Sequence, residues 1–265
     1  MRLDFALLLV VLTALTGLVW LVDRLFFARG RAERGGKVPV VVDYSRSFFP
    51  VILAVLLFRS FLYEPFKIPS SSMMPTLLIG DYILVNKFAY GLRLPVTNTR
   101  ILDLGSPKRG DVVVFRYPVD PSDDYIKRVI GVPGDVISYR NKTVYVNGQE
   151  VPLQPLGRFA GDRSSAVYNG YEELLERLPG AEHRILRRPN PHAQPQYQDE
   201  FRITVPEGHY FVMGDNRDHS LDSRSWGFVP EDNLVGRASV IWWNWDSRDG
   251  MLGAVDFGRL GTIVR

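Results

Sequence analysis

The chain has 265 residues, of which 46% are hydrophobic and 23% charged, so it is too apolar for a disordered protein. Its net charge of +3 lies in residues 1–64, which carry eight basic and five acidic residues, while the remainder carries 24 of each. The folded part therefore has no basic excess, and nucleic acid is not an expected partner. The absence of cysteine excludes a cysteine nucleophile, a cysteine-based zinc site and disulfides.

The first predicted element is a membrane-spanning helix within residues 1–22. Its apolar run, Phe5 to Val22, has 18 residues. At a rise of ~1.5 Å per residue, this run reaches ~27 Å, enough for the hydrocarbon core of a bilayer. A cleaved signal peptide is the alternative, but only Arg2 precedes the run as a basic residue, and bulky residues follow it. We expect a retained anchor.

A basic segment, residues 23–46, follows with six basic and three acidic residues, and the positive-inside rule predicts that it is cytoplasmic. Residues 47–64 are predicted to form a second transmembrane helix. Their apolar run is short, contains Pro50 and is interrupted by Arg59, so a core helix is the alternative. With two spans, residues 65–265 form an extracytoplasmic domain; with one span, that domain is cytoplasmic.

Residues 65–265 predict a mostly β domain. Short runs rich in β-branched and aromatic residues are typical of strands. They occur at residues 82–85, 111–117, 125–130, 136–139, 143–146, 210–213 and 239–243. The pair Asn147-Gly148, directly after the run at 143–146, indicates a hairpin or tight turn. The pattern favours an antiparallel sandwich or barrel-like domain, with one short helix at Tyr171 to Leu178.

Two stretches of this domain are less regular. Residues 152–200 contain six prolines and few strand-like runs, so we interpret them as an inserted lobe, more mobile than the rest and without the chemistry. Near the C-terminus, Trp242, Trp243 and Trp245 occur together. Clustered tryptophans are found both in cores and at bilayer interfaces, and the sequence leaves both interpretations open.

The histidines indicate no metal site, because none has the spacing of a ligand motif. They are His183, His192, His209 and His219. A Ser-His-Asp triad is the other possibility, since His219 and Ser220 stand among three aspartates. The G-x-S-x-G elbow is absent, however, and adjacent side chains of an extended segment point to opposite faces. We interpret this stretch as a polar loop.

A serine nucleophile with a lysine base remains. Between Pro69 and Pro75 lie three serines, and the two prolines make a loop the expected conformation. A lysine can take a serine proton if burial lowers its pKa by ~3–5 units from ~10.4. Lys127 is the best candidate. Its neighbour Arg128 would face the other side of the strand and stays protonated, but the pattern does not decide which of the two is buried.

These features resemble the bacterial type I signal peptidases, a membrane-bound Ser-Lys protease family. The resemblance covers most of the chain: the two apolar segments and four blocks in order. The blocks are Tyr63–Leu77, Gly80–Gly91, Lys108–Asp135 with Tyr125-Ile126-Lys127-Arg128 inside it, and Gly214–Arg224. Two departures occur. Ser71 stands where many members have glycine, and the loop disulfide of some members is absent.

The resemblance implies a role for individual residues. Ser72 is implied as the nucleophile and Lys127 as the general base. Ser70 is implied as an oxyanion-hole donor, Ser220 as the residue that orients the lysine, and Asp222 with Arg224 as a supporting ion pair. The residues implied to form the substrate-binding surface are Phe66, Ile68, Ile83, Val114, Tyr125 and Ile126. No metal or other cofactor is implied.

The implied function is cleavage of signal peptides from exported preproteins after Ala-x-Ala by an enzyme of the bacterial plasma (inner) membrane. It is expected to be multi-pass, with its catalytic domain on the periplasmic side. Expected partners are signal peptides, the lipid bilayer and the secretion translocon. Penicillin-binding proteins do not fit, because S-x-x-K and K-T-G motifs are absent. A self-cleaving repressor would need a DNA-binding domain in place of the apolar N-terminus. A non-enzymatic anchored β domain that binds peptides stays an alternative.

Overall fold

A computed structural model of the chain describes residues 5–95, 99–189, 200–246 and 255–265. The chain forms two compact units. The first unit comprises Met1–Glu64 and Gly91–Leu104, and the second comprises Pro65–Tyr90 and Gly105–Arg265. His192, like the whole of 190–199 in the expected lobe, lies outside the described residues.

The first unit is built on helices. Helix α1 (Phe5–Val22) continues through a π-helical turn, Asp23–Phe27, into α2 (Ala28–Glu33), and α3 spans Val40–Phe61. By length and composition, the stretches Phe5–Glu33 and Val40–Phe61 could each cross a membrane. The helical conformation thus extends past residue 22 at the first boundary and begins before residue 47 at the second. Gly35, with φ of 61°, follows α2, and Pro39 precedes α3 in an extended conformation.

Close packing joins α1 and α3. A Cβ atom added at Gly17 would lie 2.6 Å from Cε2 of Phe49, so only glycine leaves room for that ring. The same ring lies 5.5 Å from the ring of Trp20. Arg59, which interrupts the apolar run, donates to Glu64 at 2.5 Å and lies 4.6 Å from the ring centroid of Phe5. Its charge is therefore paired, and the helix continues through it.

The strands are short, as the sequence predicts. In chain order they are β1 (Tyr63–Lys67), β2 (Asp81–Asn86), β3 (Leu92–Arg93), β4 (Arg100–Leu102), β5 (Val112–Arg116), β6 (Asp124–Gly131), β7 (Val136–Arg140), β8 (Thr143–Val146), β9 (Gln149–Glu150), β10 (Leu153–Arg158), β11 (Glu172–Leu178), β12 (Ala181–Arg187), β13 (Phe201–Thr204), β14 (His209–Met213), β15 (Val229–Pro230) and β16 (Leu234–Asn244). A short helix, α4 (Ser223–Trp226), lies between β14 and β15.

The second unit is mostly antiparallel sheet. Its largest sheet has the strand order β1-β2-β16-β5-β6-β14-β15, a second has the order β13-β7-β8-β9, and a third has the order β10-β11-β12. Strand β6 is paired on both sides, with β5 and with β14, so it is a central strand. The prediction of a mostly β, antiparallel fold preceded by two N-terminal apolar helices is confirmed.

An apolar core on the largest sheet brings the loop after β1 against the sheet. The buried residues of this cluster are Ile68, Met73, Leu77, Ile83, Val85, Val112, Val114, Ile126, Ala238 and Ile241. Met73 and Leu77 belong to the predicted nucleophile loop, whereas Ile126 precedes the candidate base on β6. Burial of this cluster, at ~25 cal/mol per Å² of apolar surface, therefore holds loop and strand together.

The expected hairpin turn is confirmed and the expected short helix is wrong. Asn147 and Gly148 both have positive φ, 53° and 82°, and join β8 to β9 as a two-residue turn requires. Residues 172–178 form strand β11 instead of a helix, because Leu174, Glu176 and Leu178 alternate inward and both strand edges are paired. Trp242 and Trp245 are exposed, at 44% and 40%, so these two rings are not core residues.

Candidate active site

The segment Pro69–Leu77 is a loop between β1 and β2, and hydrogen bonds within and beyond it fix its backbone. Met74 N–H donates to the carbonyl of Ser71 at 3.1 Å, and Leu77 N–H donates to that of Met73 at 2.9 Å. Met73 and Met74 are 1% and 0% exposed, so the residues after the serines are anchored in the core. Among the described residues, positive φ at non-glycine positions does not include Ser71, so serine is unstrained there.

Ser72 and Lys127 meet in this core. The Lys127 Nζ atom lies 2.7 Å from Ser72 Oγ and donates to the carbonyl of Ile126 at 2.8 Å. Both side chains are buried, Ser72 at 7% exposure and Lys127 at 4%. The ring centroid of Tyr125 lies 5.5 Å from the same amine. This is the hydrogen-bonded distance that proton transfer between a hydroxyl and its base requires.

The electrostatic setting of Lys127 favours the neutral amine. Burial lowers its pKa to about 8, because the charged form loses hydration, and the carboxylates of Asp222 and Asp215 oppose this shift. No carboxylate forms an ion pair with Nζ within the described residues. At pH 7 about a tenth of the amine is then deprotonated, and this neutral form is the one that a general base needs.

Two further serines border the pair. Ser70 Oγ lies 3.4 Å from Ser72 Oγ, on the exposed side of the loop. Ser220 is buried, at 1% exposure, on the segment after β14. A Cβ atom added at Gly214 would collide with Ser220 and lie 2.5 Å from the Ser72 carbonyl oxygen. Glycine at position 214 therefore lets the backbone pass close to both serines.

Asp222 and Arg224 form the expected ion pair. Arg224 donates to the Asp222 carboxylate at 2.8 and 2.9 Å and to the carbonyl of Arg217 at 2.6 Å. Asp222 also accepts from the N–H of Gly214 at 3.0 Å and caps helix α4. Burial by itself raises the pKa of Asp222, but the Arg224 guanidinium and these hydrogen bonds hold it below its usual value. The carboxylate is therefore charged near Lys127.

Arg128, which the sequence left undecided, is also buried. Its guanidinium donates to both oxygens of Asp215, at 2.8 and 2.7 Å, and to the carbonyl of Gly110 at 2.7 Å. Thr76 of the nucleophile loop donates to Asp215 at 2.5 Å. Sequence reasoning assigned no role to Arg128, Asp215 or Thr76, although all three stand in the blocks that carry the resemblance.

Most residues of the expected substrate surface lie together. Ile68, Ile83, Val114 and Ile126 are members of one buried cluster, and Phe66 packs against it. Tyr125 belongs to a different group: its ring stacks on Tyr117 with 4.3 Å between centroids. The cluster also includes Met73, the residue after Ser72, and Ile126, the residue before Lys127, so it is connected to the Ser72–Lys127 pair.

The alternative arrangements are not supported by the geometry. His219 Nε2 lies 2.9 Å from Tyr171 Oη and 2.9 Å from an Arg188 nitrogen. These contacts of the imidazole are not with a serine, as a Ser-His-Asp triad would require. Burial and the Arg188 charge lower the pKa of His219. Within the described ranges, no group of three histidine or acidic side chains is placed to hold a metal ion.

Comparisons with known proteins show which proteins this chain is similar to. The family model "Signal peptidase, peptidase S26" matches residues 41–243. Signal peptidase I of Pseudomonas aeruginosa is 44% identical over 292 aligned residues, which cover 99% of this chain and 100% of that protein. Signal peptidase I of Aquifex aeolicus is 38% identical over 225 residues, with 74% and 82% covered. A solved signal peptidase I from Enterococcus faecalis V583 is 30% identical and covers 51% of this chain and 98% of that one, with a TM-score of 0.32.

Proposed function

Because this chain belongs to the signal peptidase family, peptidase S26, and is therefore a peptidase, we propose that it removes signal peptides from exported preproteins with a Ser72–Lys127 dyad. The observation that carries this proposal is the 2.7 Å contact between Lys127 Nζ and Ser72 Oγ in a buried setting. A buried lysine without an ion-pair partner is costly unless it is neutral, and a neutral amine beside a hydroxyl is a base.

The proposed reaction has two stages. Ser72 Oγ attacks the scissile carbonyl while Lys127 accepts its proton, and Lys127 then protonates the leaving amine, which gives an acyl-enzyme. In the second stage Lys127 takes a proton from a water molecule, which attacks the ester carbonyl. Lys127 then returns that proton to Ser72 Oγ as the acyl–oxygen bond breaks, which releases the acid product and restores Ser72 and the neutral amine. The Ser70 hydroxyl and the Ser72 N–H are proposed to stabilise the tetrahedral oxyanion, a role typically worth ~3–4 kcal/mol per donor.

Specificity is proposed to come from the apolar cluster. We propose that Phe66, Ile68, Ile83, Val114 and Ile126 line shallow pockets that accept small residues, so that cleavage follows Ala-x-Ala. Tyr125 is assigned to the substrate-binding surface through its position over the Lys127 amine. The substrate is proposed to bind as an extended strand, whose main-chain hydrogen bonds supply affinity.

Ser220, Asp222 and Arg224 are proposed as supporting residues. Ser220 orients the Lys127 amine, and the Asp222–Arg224 pair fixes the segment that carries Ser220. Asp222 accepts a hydrogen bond from the Gly214 N–H, and Arg224 donates one to the Arg217 carbonyl. These bonds to the backbone support a positioning role for the pair. No metal or other cofactor is needed for this reaction.

The location of the enzyme is also a proposal. The two apolar helical stretches and the family support a membrane-anchored protein. We propose two spans within residues 1–22 and 47–64, a cytoplasmic segment 23–46, and an extracytoplasmic catalytic domain 65–265 that includes the lobe 152–200. The plasma (inner) membrane would then hold the enzyme on its periplasmic side, next to its lipid-embedded substrate and the secretion translocon.

The function is tested with the full-length chain purified in detergent and a preprotein whose signal peptide ends in Ala-x-Ala. We expect cleavage after that motif, and none by Ser72→Ala or Lys127→Met, while Ser122→Ala and Lys108→Met at exposed positions cleave normally. Cleavage by the first two variants would contradict the dyad. Failure of the wild type to cleave any preprotein would contradict the substrate class and favour a peptide-binding β domain.

The membrane topology is tested by labelling single introduced cysteines with a maleimide. The wild-type chain contains no cysteine, so it is not itself labelled. Lys37→Cys lies between α2 and α3, and Ser122→Cys lies between β5 and β6; both positions are exposed. In intact spheroplasts, a membrane-impermeant maleimide is expected to label Cys at position 122 but not at 37 until the membrane is lysed. Protection of Cys at position 122 until lysis would place the catalytic domain in the cytoplasm.

A further inference from the structure

The lobe at residues 152–200 contributes two buried titratable side chains, those of Glu176 and His183. Strands β11 and β12 pair so that Glu176 is directly opposite His183. Both side chains face inward and are buried, at 0% and 4% exposure. The next register pair, Arg177 opposite Glu182, faces solvent. Burial of a glutamate and a histidine on the inward face is unusual and calls for partners from elsewhere in the chain.

Those partners belong to the segment that follows β14. Arg217 is 1% exposed and donates through both terminal nitrogens to the two carboxylate oxygens of Glu176. His183 Nε2 lies 3.1 Å from Glu176 Oε2 and 3.8 Å from Asp215 Oδ1. We call Glu176, His183 and Arg217 the lobe clamp. The Glu176 carboxylate and the Arg217 guanidinium carry opposite charges, whereas burial lowers the pKa of His183. A bidentate guanidinium–carboxylate pair fixes orientation as well as distance.

The lobe contacts both residues that flank Asn216. Asp215 lies against His183, and Arg217 is bound by Glu176, while the Leu186 N–H of β12 donates to the Asp215 carbonyl at 2.9 Å. Leu186 and Asn216 form a parallel bridge. Asn216 is therefore fixed on the lobe from both sides, and it is 0% exposed.

Asn216 in turn holds the nucleophile loop. Its N–H donates to the carbonyl of Ser72 at 3.0 Å, and its side-chain Nδ2 donates to the carbonyl of Ser71 at 3.2 Å. These two hydrogen bonds restrain the peptide groups before and after the Ser72 Cα. They fix the direction of the Ser72 side chain toward Lys127.

We propose that the lobe clamp of Glu176, His183 and Arg217 positions the Ser72 nucleophile through Asn216, so that the inserted lobe sets the rate of the chemical step. None of these residues touches substrate; they are positioning residues. This inference rests on the proposed dyad. A misplacement of a reacting group by ~1 Å from a distant change can cost ~100-fold in rate, so such a role has a measurable size.

The test separates positioning from stability. Glu176→Gln leaves Arg217 buried without its counter-charge and can fail to fold. The double variant Glu176→Leu with Arg217→Met removes both charges and fills the space with apolar groups, which preserves folding. Glu182→Gln, at the exposed register pair on the same strands, is the matched control. All proteins are full length in detergent, and kcat, KM, the melting temperature and hydrogen exchange of residues 70–77 are measured.

For the double variant, we expect a melting temperature near that of the wild type, kcat lowered by ~10–100-fold with KM little changed, and faster exchange in residues 70–77. The control Glu182→Gln is expected to keep the wild-type kcat, KM, melting temperature and hydrogen exchange. A double variant with wild-type kcat and exchange would overturn the proposal and leave the clamp a stabilising pair only. If the wild type itself cleaves no preprotein, the proposed function fails, and the exchange measurement alone decides whether the clamp holds the loop.

Discussion

Lys127 and Arg128 are consecutive residues of strand β6, and both side chains are buried although they face opposite sides of the sheet. Arg128 is fully paired with Asp215, whereas Lys127 contacts a hydroxyl and a carbonyl. Two buried cations of the same strand thus have opposite electrostatic environments. Arg128 is paired with a carboxylate, whereas burial makes the Lys127 amine easier to deprotonate.

The first prediction concerns the pH dependence of cleavage. Because burial lowers the pKa of Lys127 to about 8, kcat/KM is expected to rise tenfold per pH unit below that value and to level off above it. The rate falls at low pH because the protonated amine cannot accept the Ser72 proton. A pH profile between 5 and 10 measures the limb, and a rate independent of pH in this range would contradict a lysine base.

The second prediction concerns Asp222. Its negative charge raises the pKa of Lys127 against the effect of burial, so Asp222→Asn is expected to move the acidic limb of the profile to lower pH. The maximal rate is expected to fall, because Arg224 loses its charged partner. Glu182→Gln, a change of the same charge at an exposed site, is the control and leaves the limb in place. An unchanged or upward-shifted limb for Asp222→Asn would contradict the prediction.

The third prediction concerns stability. The unfolded chain has a lysine pKa near 10.5 and the folded chain about 8, so between these values the unfolded state binds more protons. Stability is therefore expected to rise with pH through this window, by roughly 3 kcal/mol from this one group. Lys127→Met should be more stable than the wild type at pH 7 and lose its excess by pH 10.5. Thermal unfolding at both pH values checks this, and equal differences at the two would contradict it.

The fourth prediction concerns the loop serines. Ser70→Ala is expected to lower kcat by ~100- to 1,000-fold with little change in KM, because an oxyanion donor acts in the transition state. Ser71 is the matched comparison, since its hydroxyl is bonded to Tyr168 at 2.5 Å and not directed to Ser72. Ser71→Ala should retain most activity. Equal losses in both variants would point to loop disruption rather than to oxyanion stabilisation.

The fifth prediction concerns specificity. Ile126 is the most exposed of the buried cluster residues proposed to line the pockets, at 8%. Ile126→Ala is expected to raise the kcat/KM ratio of substrates with Val to those with Ala at a small-residue position by ~10-fold or more. Val85→Ala, in the same cluster but not assigned to a pocket, should lower the melting temperature without changing this ratio. Unchanged preference in Ile126→Ala would remove this residue from the pocket.

Much of the fold follows from local pattern. The strands at 82–85 and 143–146 and the Asn147-Gly148 turn were predictable because their β-branched residues and turn chemistry act within a few residues. The burial of both Lys127 and Arg128 was not predictable from the sequence. Consecutive strand residues face opposite sides, and the alternating pattern does not show that both sides of the strand are covered. The burial of both side chains arises because β6 is central in its sheet and is covered by the nucleophile loop on one side and by Asp215 on the other.

Strand β11 shows why the prediction of a short helix at Tyr171 to Leu178 is wrong. Its sequence, with Glu172, Glu173 and Glu176 near Arg177, has the charge content of an exposed helix. The partner that permits burial of Glu176 is Arg217, which lies 41 residues away in the chain. A long-range ion pair of this kind leaves no local signal, so the sequence placed the lobe away from the site to which its side chains connect.

The two methionines after Ser72 have a chemical consequence for the enzyme. Met73 and Met74 are 1% and 0% exposed, and sulfoxide formation needs access of an oxidant to sulfur. A polar sulfoxide could not be accommodated in that core without moving the adjacent serine. We therefore expect peroxide to oxidise these two sulfurs slowly while the loop keeps its folded position.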